Sequence, residues 1–257
     1  MSNNHKFKKS LGQNFIRDIG FLESIVSQLG LSKGDTIIEV GAGEGALTRV
    51  LSRHAGRVIS YEVDRSLEQT LCRGDYQSPV EFRFEDALHA RIDVGKYKVV
   101  ANVPYYITTP LLFKFINDPE CEEVSVLVQK EVADRLAAKV GTKDYGALTI
   151  AVQAWGDVRK IKDAPRHLFY PIPNVDSAFV QIKCRGGDPP PVGFDKLLKG
   201  LFSKRRKTIE NGLMSVTGKN REEIREILGK VSIDVRLRPE NLTVEEYLAL
   251  HQAIFML

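Results

Sequence analysis

A glycine-rich turn between a strand-like and a helix-like segment constrains the fold of this chain more than any other feature. The apolar run TIIEV leads into GAGEG at residues 41–45. The next segment, ALTRVLSRH, places Leu47, Val50 and Leu51 on one helical face. A second apolar run, RVISYEVD, follows it and completes a β-α-β unit. Because parallel strands need a crossover of this kind, the pattern predicts an α/β fold with a parallel sheet.

The same alternation continues through most of the chain. Further strand-like runs are VEFRFEDAL, YKVVANVPYY and VSVLVQK, and helical segments include FLESIVSQLG and TPLLFKFIND. This order predicts a doubly wound, Rossmann-like sheet. We interpret ALTIAVQAWGDVRKIKDAP and SAFVQIKCR as strand-rich segments that form an antiparallel edge of that sheet.

A proline-rich break divides the predicted domains. The run GGDPPPVG at residues 186–193 is stiff and extended, so we predict a linker there. Residues 1–185 would form the catalytic domain with a basic N-terminal arm. Residues 194–257 show helical periodicity without strand-like alternation, which predicts a small all-helical domain.

Positive charge is concentrated at the two ends of the chain. The densest basic clusters are KFKK at residues 6–9 and SKRRK at residues 203–207, and we expect the second to lie within a helix. Since phosphate contacts supply much of the affinity for nucleic acids, Lys204, Arg205 and Arg206 are candidate RNA contacts in a helical RNA-binding domain. The two clusters could bracket an RNA hairpin, but a solvated helix face explains SKRRK as well.

Two classes of protein are disfavoured. No run of about 18 apolar residues appears, and the start MSNNHKFKKS lacks the apolar stretch of a secretory signal, so we expect a cytoplasmic protein without a membrane association. Cys72, Cys121 and Cys184 are far apart and lack zinc-ligand spacing. We therefore expect reduced thiols and no metal site.

Acidic residues at successive strand ends predict a site for an adenosine cofactor. Gly41 and Gly43 allow the backbone to approach a ligand closely. Glu62 follows the second strand, where it can accept both ribose hydroxyls, and Asp86 follows the third, where it can accept an adenine amine. Three strand ends aimed at one adenosine favour S-adenosylmethionine. The glycine turn alone does not exclude a dinucleotide, and Asp86 could instead be a helix cap.

The tetrapeptide NVPY at residues 102–105 resembles the Asn-Leu-Pro-Tyr motif of methyltransferases that act on exocyclic amines. Residues 6–250 as a whole resemble the ribosomal RNA small-subunit adenine dimethyltransferase family. The segments that carry this resemblance are KKSLGQNFIRD, IIEVGAGEGALT, FEDAL, NVPYYITTPLLF, LVQKEVADRL, YGALT, FYPIPNVDSAFV and FSKRRKTIENGL. Two departures are Val103, where the family usually has Leu, and Tyr106, where it commonly has Asn or another polar residue.

The resemblance implies an S-adenosylmethionine-dependent methyltransferase fold and activity. It implies successive dimethylation of two adjacent adenosines in a hairpin loop near the 3′ end of small-subunit ribosomal RNA, in the pre-ribosomal subunit. The residues it implies as cofactor contacts, with Gly43 shaping the turn, are Asn14, Ile16, Gly41, Glu62, Asp86 and Asn102. We expect a monomer, since the C-terminal part has no repeated apolar seam.

The tetrapeptide suits the chemistry of an adenine amine, whose lone pair is delocalised into the ring. The Asn102 side-chain oxygen and the Pro104 carbonyl could accept the two N6 hydrogens and orient the lone pair. Tyr105 could stack on the flipped base, unless it is a core residue. Phe169 and Tyr170 could clamp the other face of the base, or could anchor their loop to the core.

Two other functions are consistent with parts of this pattern. A sister family methylates an adenine of large-subunit ribosomal RNA with the same chemistry and confers antibiotic resistance, although YGALT, FYPIPNVDSAFV and FSKRRKTIENGL look more like the small-subunit group. A non-catalytic nucleic-acid-binding factor would not need the methyl-donor site. Intact Glu62, Asp86 and NVPY disfavour that role as the only one.

Overall fold

The strands and helices of the computed structural model follow the predicted alternation, and the structure describes residues 14–186 and 189–255. The strands are β1 (Phe15–Ile16), β2 (Thr36–Val40), β3 (Arg57–Tyr61), β4 (Val80–Arg83), β5 (Tyr97–Ala101), β6 (Cys121–Gln129), β7 (Gly156–Ala164), β8 (Phe169–Tyr170) and β9 (Ser177–Cys184). The α-helices are α1 (Ile19–Val26), α2 (Ala46–His54), α3 (Glu68–Cys72), α4 (Tyr105–Ile116), α5 (Lys130–Leu136), α6 (Ala147–Trp155), α7 (Phe194–Phe202), α8 (Ile209–Thr217), α9 (Arg221–Lys230) and α10 (Val244–Phe255).

The central sheet confirms the predicted Rossmann-like α/β fold. Its seven strands lie in the order β4-β3-β2-β5-β6-β9-β7. The first five strands of this order, β4, β3, β2, β5 and β6, are each parallel to their neighbours. The order reverses direction between β2 and β5, so the carboxyl ends of four strands open on a common crevice, where ligands of such sheets bind. Aliphatic side chains at Ile37, Ile38, Val58 and Val100 are fully buried, because helices cover both faces of a parallel sheet.

The antiparallel edge is present, but one of the two segments assigned to it is mostly helical. Strand β9 pairs antiparallel with β6, as predicted for SAFVQIKCR. In the other segment, ALTIAVQAW forms helix α6 and only the residues after it form β7. The strand prediction for Ala147–Trp155 was wrong, because a short apolar run suits a buried helix as well as a buried strand.

The chain divides into two compact units, and their boundaries differ from the predicted domains. The first unit comprises residues 1–133 and 159–184, and the second comprises 134–158 and 185–257. Residues 134–158 therefore belong with the C-terminal helices α7–α10. One reason is a buried hydrogen bond inside the second unit, in which the Tyr145 hydroxyl donates to the Leu242 carbonyl at 3.0 Å. The predicted linker at 186–193 includes Gly187 and Asp188, which lie outside the described residues.

The basic cluster SKRRK is a turn, which corrects the prediction that it lies within a helix. Helix α7 ends with Ser203 as its C-cap, and α8 begins after Thr208, whose side chain accepts a hydrogen bond from the Asn211 amide. Residues 203–207 connect the two helices. A threonine N-cap starts a new helix because its oxygen satisfies an amide that the first turn leaves free. Among the described residues, no helix is long and apolar enough to cross a membrane.

Candidate methyl-donor and adenine site

The GAGEG turn brings the cofactor side of the site against the tetrapeptide. Gly41 has φ +84° and its amide donates to the Tyr61 carbonyl at 2.9 Å, so the turn is tied to the end of β3. A Cβ at Gly41 would lie 2.8 Å from the Asn102 carbonyl oxygen, a distance that real Cβ atoms do not tolerate. Glycine is therefore required both by the left-handed backbone and by the close approach of Asn102.

Glu62 is the most buried carboxylate of the cavity wall. It follows β3, is 5% exposed, and accepts hydrogen bonds from the amides of Gly43 and Asp64 at 2.8 Å each. Burial raises the pKa of Glu62, and these backbone hydrogen bonds oppose the rise. Because each carboxylate oxygen has two lone pairs, both oxygens can still accept a ribose hydroxyl.

Asp86 lies in the loop that follows β4 and begins a turn, not the helix that the alternative interpretation of Asp86 as a helix cap requires. Its Oδ1 accepts a hydrogen bond from the Leu88 amide at 2.9 Å, so it does cap a turn. Its side chain also lines the cavity, which leaves the predicted contact with an adenine amine possible in the same conformation. Lys114 of α4 fixes this loop by donating to the carbonyls of Leu88 and Ala90, at 3.3 and 2.6 Å.

The segment Asn14–Ile16 closes another side of the cavity. Strand β1 pairs antiparallel with β8, with Phe15 opposite Tyr170 and Ile16 opposite Phe169. The Phe15 ring packs on the turn so tightly that a Cβ at Gly43 would lie 2.6 Å from it. Asn14, Phe15 and Ile16 all line the cavity. The sequence motif identified Asn14 and Ile16 but not the packing role of Phe15 between them.

These elements enclose a cavity of about 300 Å³, within the size range of small-molecule sites. Its described lining contains four carboxylates, Glu44, Glu62, Glu85 and Asp86, and no Lys, Arg or His. Such a wall suits the cationic sulfonium and ammonium groups of S-adenosylmethionine and disfavours the pyrophosphate of a dinucleotide. Apolar side chains from Val63, Ala87 and Leu88 provide surfaces for an adenine ring.

The tetrapeptide lies directly beside this cavity. Asn102, Val103 and Pro104 line it at the end of β5, where the chain turns into α4. The half-buried Asn102 side chain makes no hydrogen bond to another described residue. The Pro104 carbonyl accepts a hydrogen bond from the Ile107 amide at 3.1 Å and keeps a second lone pair. Two acceptors are thus available next to the cofactor side of the site.

The two tyrosines after the tetrapeptide proline have different environments. Tyr105 is half-buried, and its hydroxyl is 2.7 Å from the Ser177 Oγ at the start of β9. Burial raises its pKa. Tyr106 is 68% exposed and lines the cavity, whereas Tyr105 does not. Tyr106 departs from the family pattern, but the sequence does not predict its position at the cavity.

The aromatic pair of the HLFYPIP loop is divided between core and surface. Phe169 is 3% exposed and packs in the core cluster with Ile16, Leu22 and Phe179, so it anchors the loop and its ring is not available to clamp a base. This corrects the prediction for Phe169 and agrees with the alternative. Tyr170 is 51% exposed, so its predicted stacking role stays a prediction.

The basic turn at residues 203–207 contains one arginine with a structural role. Arg205 donates to the carbonyls of Lys143 and Thr142, at 2.8 and 3.3 Å, and approaches Glu240 at 3.4 Å. Lys204 donates to the Ser215 hydroxyl, and Arg206 is exposed. RNA binding by these three residues stays a prediction. The other basic cluster, at residues 6–9, lies outside the described residues.

Glu39 is a buried acid behind the glycine turn that sequence reasoning missed. It is fully buried in β2, and its Oε2 accepts hydrogen bonds from the hydroxyls of Thr48 and Ser60, at 2.6 and 2.5 Å. Burial raises the pKa of Glu39 to about 7. The only available signal was a charged residue inside the apolar run TIIEV.

Comparison with known proteins agrees with this geometry. The family model described as "Ribosomal RNA adenine dimethylase" matches residues 4–254. A Clostridioides difficile (strain 630) protein named "Ribosomal RNA small subunit methyltransferase A" is 42% identical, over 98% of this chain and 92% of that protein.

Two solved structures extend the comparison. A dimethyladenosine transferase from Plasmodium falciparum is 25% identical, with a TM-score of 0.80 over 92% of this chain and 95% of that chain. The 23S rRNA methyltransferase ErmE is also 25% identical, with a lower TM-score of 0.69 over 93% of this chain and 99% of that chain.

Proposed function

The chain belongs to the ribosomal RNA adenine dimethylase family, and from this premise we propose that it dimethylates the N6 amines of two adjacent adenosines in a hairpin loop near the 3′ end of small-subunit ribosomal RNA. It is an S-adenosylmethionine-dependent methyltransferase. The observation that carries the proposal is the contact between the acid-lined cavity and the tetrapeptide. Gly41 and Asn102 meet there at the carboxyl ends of the neighbouring strands β2 and β5.

The residues of the cavity are suited to hold the methyl donor. When bound, S-adenosylmethionine supplies an electrophilic methyl group on a sulfonium ion. Glu62 accepts the ribose hydroxyls, and Asp86 accepts the adenine amine. Asn14, Ile16 and Gly41 contact the donor at the rim and the turn, and Gly43 leaves space for Phe15 beneath them.

The residues of the tetrapeptide are suited to hold the target amine. The Asn102 amide oxygen and the Pro104 carbonyl each accept one N6 hydrogen, which directs the nitrogen lone pair toward the donor methyl. Positioning of this kind needs no strong base, because the methylated amine loses its proton readily to water. Tyr105 contributes a ring for stacking on the extruded base, with its hydroxyl fixed by Ser177.

The substrate is the small-subunit RNA within the pre-ribosomal particle, and the protein acts as a monomer in the cytoplasm. Tyr170 stacks near the target base, while Lys204, Arg205 and Arg206 contact phosphates. RNA of folded shape is recognised through unpaired bases and backbone geometry, so the assembled particle presents the substrate better than naked RNA does.

The test is a labelling experiment with defined ribosomal substrates. Purified protein is incubated with radiolabelled S-adenosylmethionine and unmethylated small subunits, large subunits or the naked RNA of each, and labelled adenines are mapped by mass spectrometry. We expect dimethyladenosine at two adjacent positions of the small-subunit RNA only.

Two asparagine variants serve as controls. Asn102→Ala should lower kcat by about 10²–10³-fold, as loss of a preorganised polar contact does. Asn117→Ala, at the other end of α4, should leave kcat within about twofold, since surface changes have small effects. Label in large-subunit RNA would support the resistance-type activity instead, and the absence of label would support a binding factor.

A further inference from the structure

Arg17 joins the cofactor turn to the loop that carries Tyr170. Its guanidinium donates two hydrogen bonds to the Glu44 carboxylate of the GAGEG turn, from Nε at 2.8 Å and from Nη2 at 2.7 Å. The same guanidinium lies over the Tyr170 ring, 5.2 Å from its centroid. One side chain thus contacts both Glu44, in the wall of the donor cavity, and Tyr170, in the HLFYPIP loop.

The backbone around Arg17 supports the same connection. Strand β1 ends at Ile16, immediately before Arg17, and pairs with β8, so Phe15 lies opposite Tyr170. Phe15 packs on Gly43, one residue before Glu44. The backbone pairing and the arginine side chain therefore link the turn and the loop at two adjacent points.

Arginine is suited to this double contact and lysine is not. A planar guanidinium binds a carboxylate with two parallel hydrogen bonds and stacks on an aromatic ring at the same time. A lysine ammonium would keep the charge but would lose the paired hydrogen bonds with Glu44. The hydrogen bonds that Arg17 donates to Glu44 raise the pKa of Arg17, so it stays charged at any pH used in an assay.

We propose that Arg17 is a positioning residue through which methyl-donor binding and RNA binding strengthen each other. The inference rests on the proposed function. A bound donor orders the turn at residues 41–45 and, with it, Glu44. Glu44 holds Arg17, and Arg17 holds the Tyr170 ring at the place where RNA binds. Because such coupling is reciprocal, bound RNA raises the donor affinity by the same factor. Arg17 touches no reacting atom.

The coupling factor is measured with a non-reactive probe. Binding of radiolabelled S-adenosylhomocysteine is measured by equilibrium dialysis with and without unmethylated small subunits, and the ratio of the two Kd values is the coupling factor. Wild type should give a factor above one. This factor should be about three to ten, the combined scale of an exposed ion pair and a cation–π contact, and Arg17→Lys and Tyr170→Leu should each lower it toward one. The double variant should lose no more than either single variant, and Tyr170→Phe should retain the wild-type factor.

Arg53→Lys is the matched control. Arg53 forms a similar partly exposed ion pair with Glu23, at 2.7 Å, away from the cavity. It should lower stability as much as Arg17→Lys does and leave the coupling factor unchanged.

Three outcomes would overturn the inference while the proposed function stands: a wild-type factor of one, an unchanged factor in Arg17→Lys, or independent losses that multiply in the double variant. Wild-type protein that neither binds nor methylates small subunits would overturn the proposed function, and the inference with it.

Discussion

The donor cavity and the basic turn at residues 203–207 both carry predicted functional residues, but they are built differently. In the cavity, Glu62 is held by two backbone amides and Gly41 touches the backbone of Asn102. In the turn, Arg206 is exposed, and Arg205 uses its guanidinium to hold the carbonyls of residues 142 and 143. The cavity places its groups through the main chain, whereas the turn places them through long side chains.

This difference separates two kinds of sensitivity. A group fixed by backbone hydrogen bonds and close packing loses its position when one atom is added or one charge is removed. A basic side chain in solvent contributes to binding mainly through charge, so each one has a small and salt-dependent effect. We therefore expect changes in the cavity to be large and local, and changes in the turn to be small and cumulative.

The largest expected effect concerns the buried acid behind the cavity. Glu39→Gln should change how stability depends on pH. Burial raises the pKa of Glu39 from 4.5 to about 7. Between pH 4.5 and 7 the folded protein therefore keeps a proton on Glu39 that the unfolded protein has released. Its contribution to stability is full below pH 4.5 and is lost as the pH rises through 7. Gln carries no charge, so the variant should gain up to about 3 kcal/mol relative to wild type between pH 4.5 and 8.

Urea unfolding of both proteins at pH 5 and pH 8 tests this expectation. Glu81→Gln is the control of opposite sign, because Arg83 and Arg57 lower the pKa of Glu81. The stability from that carboxylate is fully present above its unfolded pKa and is lost only at lower pH, so the stability difference between Glu81→Gln and wild type should be the same at pH 5 and pH 8. If the stability of Glu39→Gln and of wild type changed with pH in the same way, no buried charge would form at Glu39, and the expectation would be wrong.

A smaller effect is expected from a methyl group at the turn. Gly41→Ala adds a Cβ 2.8 Å from the Asn102 carbonyl oxygen on a backbone with φ +84°. The turn and the tetrapeptide must then separate, so the donor Kd should rise by about ten- to hundredfold, the scale of 1–3 kcal/mol of backbone strain, and kcat should fall as well. Gly95→Ala has a similar φ of +68° but meets no atom within 4 Å.

Calorimetric titration with S-adenosylhomocysteine measures the two donor affinities. Gly95→Ala should lower the Tm and leave the donor Kd within about twofold of wild type, because its strain is confined to a distant loop. Equal losses of donor affinity in both variants would mean that backbone strain alone, and not contact between the turn and Asn102, determines the donor affinity of the cavity.

The same difference explains how far the sequence could predict the site. Backbone-determined features were readable: the glycine turn, the acids after β3 and β4, and the tetrapeptide after β5 all lie where their spacing indicated. Side-chain environments were not readable. Nothing in HLFYPIP distinguishes the buried Phe169 from the exposed Tyr170, because both depend on pairing with β1.

The predicted boundaries of helices and turns were wrong for related reasons. ALTIAVQAW is apolar enough for either a buried strand or a buried helix. Its helix is determined by packing in the second unit against α7 and α10, which are at least 39 residues away in sequence. SKRRK continues the helical composition of α7, but the Thr208 cap starts a new helix, and a five-residue turn remains between them.

The smallest expected effects belong to the basic turn. Arg206→Gln and Lys207→Gln remove two exposed charges without removing a hydrogen bond that the structure describes for them. If these side chains neutralise phosphates, each variant should raise the KM for small subunits about two- to fivefold and reduce the slope of log K against log salt by about 0.7, with kcat and donor Kd unchanged. Lys96→Gln, an exposed lysine of the first unit paired with Glu122, should change none of these values.

Arg205→Lys separates the structural role in this turn from the electrostatic one. It keeps the charge but loses the hydrogen bonds to the carbonyls of residues 142 and 143, so it should lower the Tm while the salt slope stays at the wild-type value. Because the turn acts through summed charge, Arg206→Gln and Lys207→Gln together should reduce the slope by the sum of their separate effects. A slope that does not change would mean that these side chains do not neutralise phosphates. A loss of kcat in the double variant would mean that the turn positions the reacting adenine through fixed contacts, as the cavity positions the donor.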